Sequence, residues 1–335
     1  MKGQVVHVAL LGVASVLALI VSTRDEKSDA TPKPNDVLVW AGSPDAVSAL
    51  SFEGKTRKVR LEPHKDDQGR WYVGTVDKDE APPPPAHPPL AVDAGAPSAS
   101  KHETVRFTGG KAADDLVKSL APLHAMRAVG KVEGTRDEEF GLDKPEGTLK
   151  IMIGGKEQTL VIGGSTPTGS ERYARTGSGE VFAIAGDIAQ NLSFAESRLA
   201  EHDLHSFKPD EVTRVKISKA GKSREAVRIP EKNEGWADAT APGKLDETLG
   251  NWMSKVNRLR ANDFVEKPSA PLAPDAALVH IDYFAGSKKL GYLELFRVPG
   301  EKGNDFLAKT EYQRWYVKVP NTVDQIDQDL ASLLK

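Results

Sequence analysis

Apolar and polar residues alternate in two blocks of this chain, and the alternation predicts antiparallel strands in both. The first block covers residues 148–192, and the second begins near Leu278. Successive side chains of a strand point to opposite faces of a sheet, so each block predicts strands with one buried face. Four positions match at one constant separation along the chain: Ala174 with Ala308, Arg175 with Lys309, Thr176 with Thr310, and Phe182 with Tyr316. The two blocks therefore predict an internal repeat.

The similarity extends upstream of both blocks. Residues 126–128 match residues 259–261 at almost the same separation, whereas Trp71 and Trp236 lie further apart along the chain. The first copy therefore carries extra residues, and we assign this excess to the segment 81–99, which is rich in proline and alanine. Such a segment lacks the apolar residues that a core requires, so it is predicted to be a disordered insertion. A repeat of this length predicts two related domains rather than a solenoid, whose units span ~20–50 residues.

Shorter patterns predict further strands at residues 37–40, 57–61, 70–73 and 104–107. Apolar residues at steps of three and four predict three helices, each with one buried face. The buried positions are Leu116, Val117 and Leu120 in the first helix, Leu245, Leu249, Trp252, Val256 and Leu259 in the second, and Val323, Ile326, Leu330 and Leu333 in the third. Gly110 and Asn321 are the predicted N-caps of the first and third helices, and Pro122 ends the first. The predicted fold is α+β, with two related domains of mainly antiparallel sheet and packed helices at residues 37–207 and 208–335.

Residues 5–21 are apolar except for His7 and Ser15. As a helix, this stretch would span ~26 Å, close to the ~30 Å hydrocarbon core of a bilayer. The alternative is a signal peptide that is cleaved after export. Ile20 and Val21 occupy the positions where cleavage requires small residues, so an uncleaved segment is favoured.

The N-terminal pattern therefore predicts a transmembrane signal anchor at residues 1–23, followed by a tether at residues 24–36. Lys2 on the short side favours an N-terminus inside the cytoplasm. We expect a single-pass protein of the inner membrane with the bulk of the chain in the periplasm.

The composition excludes several classes of protein and site. The 335 residues carry a formal net charge of −3, whereas a dedicated nucleic-acid binder normally has a basic surplus. The chain contains no cysteine, which excludes disulfides, thiolate metal ligands, a cysteine nucleophile and a lipid-modified cysteine. Because of the net charge, we expect no nucleic-acid partner.

A glycine-rich run at residues 163–170 superficially resembles a phosphate-binding loop. Such a loop needs Gly-Lys-Ser/Thr followed directly by a helix, whose N-terminal amides bind the phosphate. This run has no lysine and leads into a predicted strand. It is therefore interpreted as a connection between strands.

Several polar groups are candidates for chemistry, and two histidines are the strongest. His202 and His205 would share one face of a helix, and two imidazoles with nearby carboxylates can bind zinc or copper. No third ligand follows from the spacing, and the alternative is a solvated helix end. Three acids at residues 137–139 suit acid–base chemistry only if one is buried, and a solvated loop is the simpler interpretation. Arg175 and Lys309 are predicted on the outer faces of the sheets. From these candidates together, we assign no catalytic, cofactor-binding or metal-binding residue.

A series of short motifs resembles a known family. The motifs are, in order, Phe140-Gly141-Leu142 with Pro145 following, Ile162-Gly163-Gly164, Tyr173-Ala174-Arg175, and Ser197-Arg198-Leu199 leading to Leu204 and Phe207. With the N-terminal apolar segment, they resemble the domain-of-unknown-function family 4340 of bacterial envelope proteins over most of the chain from about Val37. The chain departs from the family pattern in its proline-rich insertion and at residues 200–203, where Ala-Glu-His-Asp replaces the usual Asp-Lys.

The resemblance implies an accessory role and transfers no catalytic residue. Members of the family have no established activity, and their genes often lie beside those of gliding-type ABC transporters. We therefore expect a non-catalytic extracytoplasmic scaffold without cofactors, whose partners are the membrane bilayer and ABC transporter subunits. The alternative is a periplasmic module that binds polysaccharide or peptidoglycan, which Trp71, Trp236 and Trp315 would support if they lined one exposed groove. A third alternative, an envelope hydrolase, would require histidines and carboxylates that converge in a cleft.

Overall fold

The computed structural model describes residues 36–80, 101–132, 134–229, 235–269, 271–300 and 303–334. The predicted signal anchor, nearly all of the tether and the segment 81–99 lie outside the described residues. In the part of the chain that is described, no helix is both long enough and apolar enough to cross a membrane.

The first sheet is built from strands on both sides of the segment 81–99. Its strands are β2 (Val47–Gly54), β3 (Arg57–Asp66), β4 (Gly69–Glu80), β5 (Lys101–Gly109), β7 (Arg127–Lys131), β8 (Gly147–Ile153), β9 (Lys156–Ser165), β10 (Glu171–Thr176) and β11 (Glu180–Ala185). Within the described ranges they are antiparallel, in the order β5-β4-β3-β2-β8-β9-β10-β11-β7. A separate pair is formed by β1 (Val37–Trp40) and β6 (Leu123–Ala125). The four strands predicted before residue 110 are therefore confirmed, three of them longer than predicted.

The second sheet is built entirely from the C-terminal part of the chain. Its strands are β12 (Arg214–Lys219), β13 (Lys222–Arg228), β14 (Trp236–Asp238), β15 (Asp263–Val265), β16 (Val279–Ala285), β17 (Lys288–Gly300), β18 (Gly303–Thr310) and β19 (Tyr316–Val319). The described strands are antiparallel in the order β14-β13-β12-β16-β17-β18-β19-β15. The predicted α+β class of mainly antiparallel sheet is confirmed, while the boundary between residues 207 and 208 stays a prediction.

The two sheets follow the same strand order, except that the first sheet also has β5. Each sheet consists of two runs of consecutive strands. The first strands of the two runs pair with each other, as β2 does with β8 and β12 does with β16. The short strand after the helix then pairs with the last strand, as β7 does with β11 and β15 with β19. The registers of these central pairs also correspond. Leu50 lies opposite Ile151 in the β2–β8 pair, and Val215 lies opposite Tyr283 in the β12–β16 pair.

The extra residues of the first sheet are not confined to the segment 81–99. β4 has 12 residues, whereas β14, which begins at Trp236, has 3. The described part of the second sheet has no strand that corresponds to β5. Assigning the excess to the segment 81–99 alone is therefore wrong, because β4 is also longer than β14 and β5 has no counterpart in the described part of the second sheet.

Helices cover one face of each sheet and complete its core. They are α1 (Lys111–Leu120), α2 (Gly186–Ser193), α3 (Ala195–Arg198), α4 (Glu247–Asn257) and α5 (Val323–Leu333), with short 3₁₀ helices at Pro44–Ala46, Gly134–Phe140, Pro209–Glu211 and Pro274–Ala276. The buried positions predicted for α1 and α5 are all buried. In α4 the helix is shorter than predicted, so Leu245 precedes it and the buried Leu259 follows it. Gly110 is the N-cap of α1 as predicted, but Thr322 rather than Asn321 occupies that position in α5.

Candidate functional site

The two sheets meet at a junction that β5 largely provides. Phe107 in β5 and Phe264 in β15 have ring centroids 6.5 Å apart, and Phe264 packs against both main cores. Arg106 forms an ion pair with Glu266 and lies 5.1 Å from the ring centroid of Trp315. β5, which has no counterpart in the described strands of the second sheet, therefore supplies the surface on which that sheet packs.

The turn between β18 and β19 forms the polar part of this junction. Gln313 is only 3% exposed, and its Nε2 donates to the carbonyl oxygens of Glu201 and Asp203 at 2.8 and 2.7 Å. The hydroxyl of Thr310 accepts the backbone N–H of Gln313 at 3.0 Å. A buried amide without hydrogen-bond partners costs free energy of folding. These bonds therefore fix the turn against residues 201–207, the linker that joins the two sheets.

The same turn is also bonded to the β3–β4 hairpin of the first sheet. Arg314 donates from Nε and Nη2 to the two carboxylate oxygens of Asp66, each at 3.1 Å. These hydrogen bonds hold the pKa of Asp66 below its ordinary value. Gln68 donates from Nε2 to the carbonyl oxygen of Glu311 at 2.8 Å. A two-point contact between arginine and carboxylate fixes orientation as well as charge, so the junction resists rotation of one sheet against the other.

A cavity of about 260 Å³ opens at the junction beside Tyr312 and Glu201. The Tyr312 hydroxyl donates to Glu201 Oε2 at 2.8 Å, and burial raises the pKa of Tyr312, so the phenol stays protonated near neutral pH. A Cβ atom added to Gly110 would lie 2.0 Å from the same carboxylate oxygen. The Glu201 carboxylate therefore lies against the N-terminus of α1, where the free backbone amides favour a negative charge.

The exposed aromatic groove that a polysaccharide-binding module would need is not formed by the three tryptophans. Trp236 is 1% exposed and Trp315 is 8% exposed, so both are buried. Trp71 is half-buried, lines the junction cavity and stacks on His64 with ring centroids 4.8 Å apart. An indole contributes a large apolar surface, which favours its burial in the core or at the junction.

The two candidate histidines do not share a helix face. Residues 201–207 form a non-helical linker with bends at Leu204, Ser206 and Phe207, so both the predicted i, i+3 pair and its alternative, a solvated helix end, are wrong. The linker pairs with the segment after α4, where Ala261 N–H donates to the carbonyl of His202 at 3.0 Å. His202 Nδ1 donates to the Ala261 carbonyl at 2.7 Å, and His205 Nδ1 donates to Glu311 Oε1 at 3.0 Å. Among the described residues, no group of three His, Asp or Glu side chains is placed to hold a metal ion.

A second cavity, of about 330 Å³, lies next to His205. The imidazole stacks on Phe207 with centroids 4.6 Å apart and meets the edge of Tyr283 at 4.8 Å. Burial raises the pKa of Tyr283. Nδ1 of this imidazole is engaged by the Glu311 carboxylate.

Three of the motif residues that resemble the family, Phe140, Leu142 and Tyr173, meet in a small cluster apart from the main core of the first sheet. Phe140 and Leu142 form a small buried cluster with Val181, and Tyr173 meets the edge of Phe140 with centroids 4.8 Å apart. Gly163 is required by this contact, because a Cβ atom there would lie 2.4 Å from the carbonyl oxygen of Phe140. The run at residues 163–170 thus ends β9 and connects it to β10, as predicted.

The three acids at residues 137–139 lie in a 3₁₀ helix rather than a loop, and Glu138 and Glu139 are solvent-exposed as the solvated interpretation predicts. Asp137 accepts a hydrogen bond from Arg175 at 2.9 Å, and this pair lowers the pKa of Asp137. Arg175 alternates with the core residue Ala174 and so lies on the outer face, as predicted. Lys309 alternates likewise and donates to the carbonyl of Arg314 at 3.3 Å. These polar groups therefore serve local packing.

Sequence reasoning missed the turn that joins the sheets, although one signal for it exists. At the separation that relates Thr176 to Thr310, Glu311-Tyr312-Gln313 stands in the second block where Gly177-Ser178-Gly179 stands in the first. The flanking strands stay alike while the turn gains three large polar side chains. Such a local change between otherwise similar copies indicates a surface that contacts another part of the protein.

Comparison with known proteins gives one finding. The model of a family described as "Domain of unknown function (DUF4340)" matches residues 108–277, just over half of the chain. This region includes the motif residues from Phe140 to Phe207, so the match confirms the resemblance seen in the sequence. No curated protein and no solved structure matches the chain.

Proposed function

The chain belongs to the DUF4340 family of domains of unknown function, and from this premise we propose that it is a non-catalytic scaffold of a membrane complex outside the cytoplasm. One observation carries the proposal. The polar groups of the junction are engaged in holding the two sheets together, as Gln313 and Arg314 show with their bonds to the linker and to Asp66. A protein whose polar cluster fixes its own shape is suited to presenting a surface to partners.

The two sheets are proposed to be related domains that arose by internal duplication. Their common strand order and corresponding registers support this relationship. A further pair of landmarks agrees with it, because Pro44-Asp45 and Pro209-Asp210 open 3₁₀ helices and are separated along the chain by the same interval as Trp71 and Trp236. Duplication followed by divergence of one turn accounts for a second copy that docks on the first.

The location and the partners are proposed from the sequence. Residues 1–23 would anchor the chain in the inner membrane, with the tether at residues 24–36 placing both domains in the periplasm. The partners would be subunits of an ABC-type transport system, as the family resemblance implies. Tethering raises the effective concentration of the domains near other membrane proteins, so even a modest contact surface would be occupied.

The hydrolase alternative has partial support in the pair of His205 and Glu311, which meet beside a cavity. A general base of this kind needs a nucleophile or an activated water in reach. The hydroxyls that line the cavity belong to Ser206 and Tyr283. The aromatic stacking of His205 on Phe207 favours a packing role, and for this reason the scaffold is the function proposed.

Purification of the full-length protein from native membranes tests the proposal. We expect ABC transporter subunits to be enriched with the wild-type protein relative to a control carrying only residues 1–36. Purified protein that hydrolyses an envelope polymer, and loses this activity on His205→Ala, would instead establish the hydrolase.

A further inference from the structure

The cavity beside His205 lies between the linker and the C-terminal end of α4. Its apolar lining is formed by Leu204, Phe207, Val212, Val256, Leu259 and Tyr283. An apolar cavity of about 150 Å³ is enough to bind benzene, and ligand sites commonly begin at about 300 Å³. At about 330 Å³, this cavity has room for an aromatic side chain.

The first domain fills the corresponding position with a tryptophan. Trp40 lies four residues before the 3₁₀ helix Pro44–Ala46, and His205 lies four residues before the 3₁₀ helix Pro209–Glu211. Trp40 is buried, and its Nε1 donates at 2.8 Å to the carbonyl of Leu120, the last residue of α1. The cavity has the same relation to α4, because the last residues of that helix line it.

His205 leaves this space open. Its imidazole lines the cavity, is bonded to Glu311 and stacks on Phe207, and it is smaller than an indole. The cavity is partly open to solvent and has both apolar and polar side chains in its lining. A cavity kept in one domain and filled in the other indicates that its space is used.

The rim of the cavity has a positive balance. Lys208 is exposed, and the Arg260 side chain is 55% exposed while its Nη1 donates to the carbonyl of Asn257 at 3.1 Å. Among the described residues that line the cavity, Asp203 is the one carboxylate, 3.4 Å from Arg260 Nε. Two cations against one carboxylate favour a ligand that carries a negative charge beside its apolar group.

We propose that this cavity binds an aromatic side chain of a protein partner, with a carboxylate next to it that pairs with Lys208 and Arg260. Aromatic anchors in apolar pockets contribute much of the free energy of many protein interfaces. Placing the partner in a membrane complex rests on the proposed function, whereas the chemistry of the cavity does not.

The test uses purified full-length protein in detergent, with N-acetyltryptophan and N-acetyltryptophanamide as probes in calorimetric titrations. The probes share the indole and differ in the carboxylate. We expect the acid to bind about ten-fold more tightly than the amide, as a charge-assisted hydrogen bond would give. His205→Trp, which copies the first domain, should abolish binding of both probes, whereas His124→Trp, at an exposed position of β6, should leave both unchanged. Lys208→Glu, at an exposed position, should equalise the two affinities even if His205→Trp does not fold.

Three results overturn the proposal: no binding of either probe, equal affinities for the wild-type protein, or undiminished binding to folded His205→Trp. The source of the aromatic group is settled in native membranes with a benzoylphenylalanine crosslinker at Asn257. A transporter subunit captured by the wild-type protein but not by His205→Trp supports a protein partner. Probe binding without any capture that depends on His205 overturns the protein partner in favour of a free aromatic acid. If transporter subunits co-purify with a protein that does not bind the probes, the proposed function stands and the inference about the cavity is overturned.

Discussion

Arg314 of the second sheet contacts Asp66 of the first at two points, with both carboxylate oxygens 3.1 Å from guanidinium nitrogens. The two side chains are 15% and 32% exposed, so water screens the pair only in part. Together with the buried Gln313, this contact joins the two sheets, and we expect the two sheets to move as one unit.

Gln313→Ala is expected to destabilise the junction. The change leaves the carbonyls of Glu201 and Asp203 without their buried donor, which costs about 2–3 kcal/mol. Denaturant unfolding followed by tryptophan fluorescence should show this loss and a separation of the two domains into distinct transitions. Gln328→Ala, on an exposed position of α5, serves as the control and should change stability by less than about 0.5 kcal/mol. A single unshifted transition in the Gln313 variant would contradict the role given to this side chain.

Asp238→Asn is expected to lower stability in a pH-dependent manner. Hydrogen bonds from Thr240, and then from Arg224, lower the pKa of Asp238 to about 2. The folded pKa lies below the unfolded value of ~3.9, so the carboxylate stabilises the fold above about pH 4 and this contribution is lost as the pH falls toward 2. Because the side chain is partly exposed, we expect a loss of about 1–2 kcal/mol at pH 7 and almost none at pH 2.

Urea titrations of the wild-type protein and the Asp238→Asn variant between pH 2 and pH 7 check this prediction. Asp67→Asn, at an exposed carboxylate, is the matched control. A difference that stays constant with pH would show that the asparagine acts through packing rather than through charge.

Gly163→Ala is expected to disrupt the small cluster of family motif residues. The new Cβ atom would lie 2.4 Å from the Phe140 carbonyl oxygen, which is backbone and cannot move freely. Overpacking of this kind costs about 1–3 kcal/mol. Gly177→Ala is the control, since a Cβ atom there meets nothing within 4 Å. In thermal unfolding, the melting temperature of Gly163→Ala should be clearly lower than that of Gly177→Ala. Equal melting temperatures would refute the close contact.

Much of the fold follows from local patterns in the sequence. The alternation in the repeat blocks gives the paired strands, and the spacing of Leu116, Val117 and Leu120 gives the buried face of α1, because both signals depend on burial of one face. The junction does not follow, since Gln313 and Arg314 occupy a polar turn that resembles a solvated one. The helix expected at His202 fails for a similar reason. Its segment pairs with residues 259–261, and this tertiary contact overrides the local pattern.

The N-terminal anchor is tested by the intact mass of protein extracted from membranes. We expect the mass of the full chain, because Ile20 and Val21 do not suit cleavage. A mature chain that starts between residues 22 and 31 would contradict the anchor.

We predict that the two sheets move as one rigid body, and a distance measurement between them tests this prediction. The natural chain has no cysteine, so spin labels can be placed on Lys58→Cys in the first domain and Lys222→Cys in the second without further changes. Both positions are exposed. A reference pair within the first sheet, Lys58→Cys with Glu157→Cys, gives the width of the distance distribution that is expected for a rigid unit. Electron–electron double resonance should give one narrow distance distribution for the interdomain pair, as narrow as the reference, and Gln313→Ala should broaden it. A broad or bimodal distribution in the otherwise wild-type protein would contradict the claim.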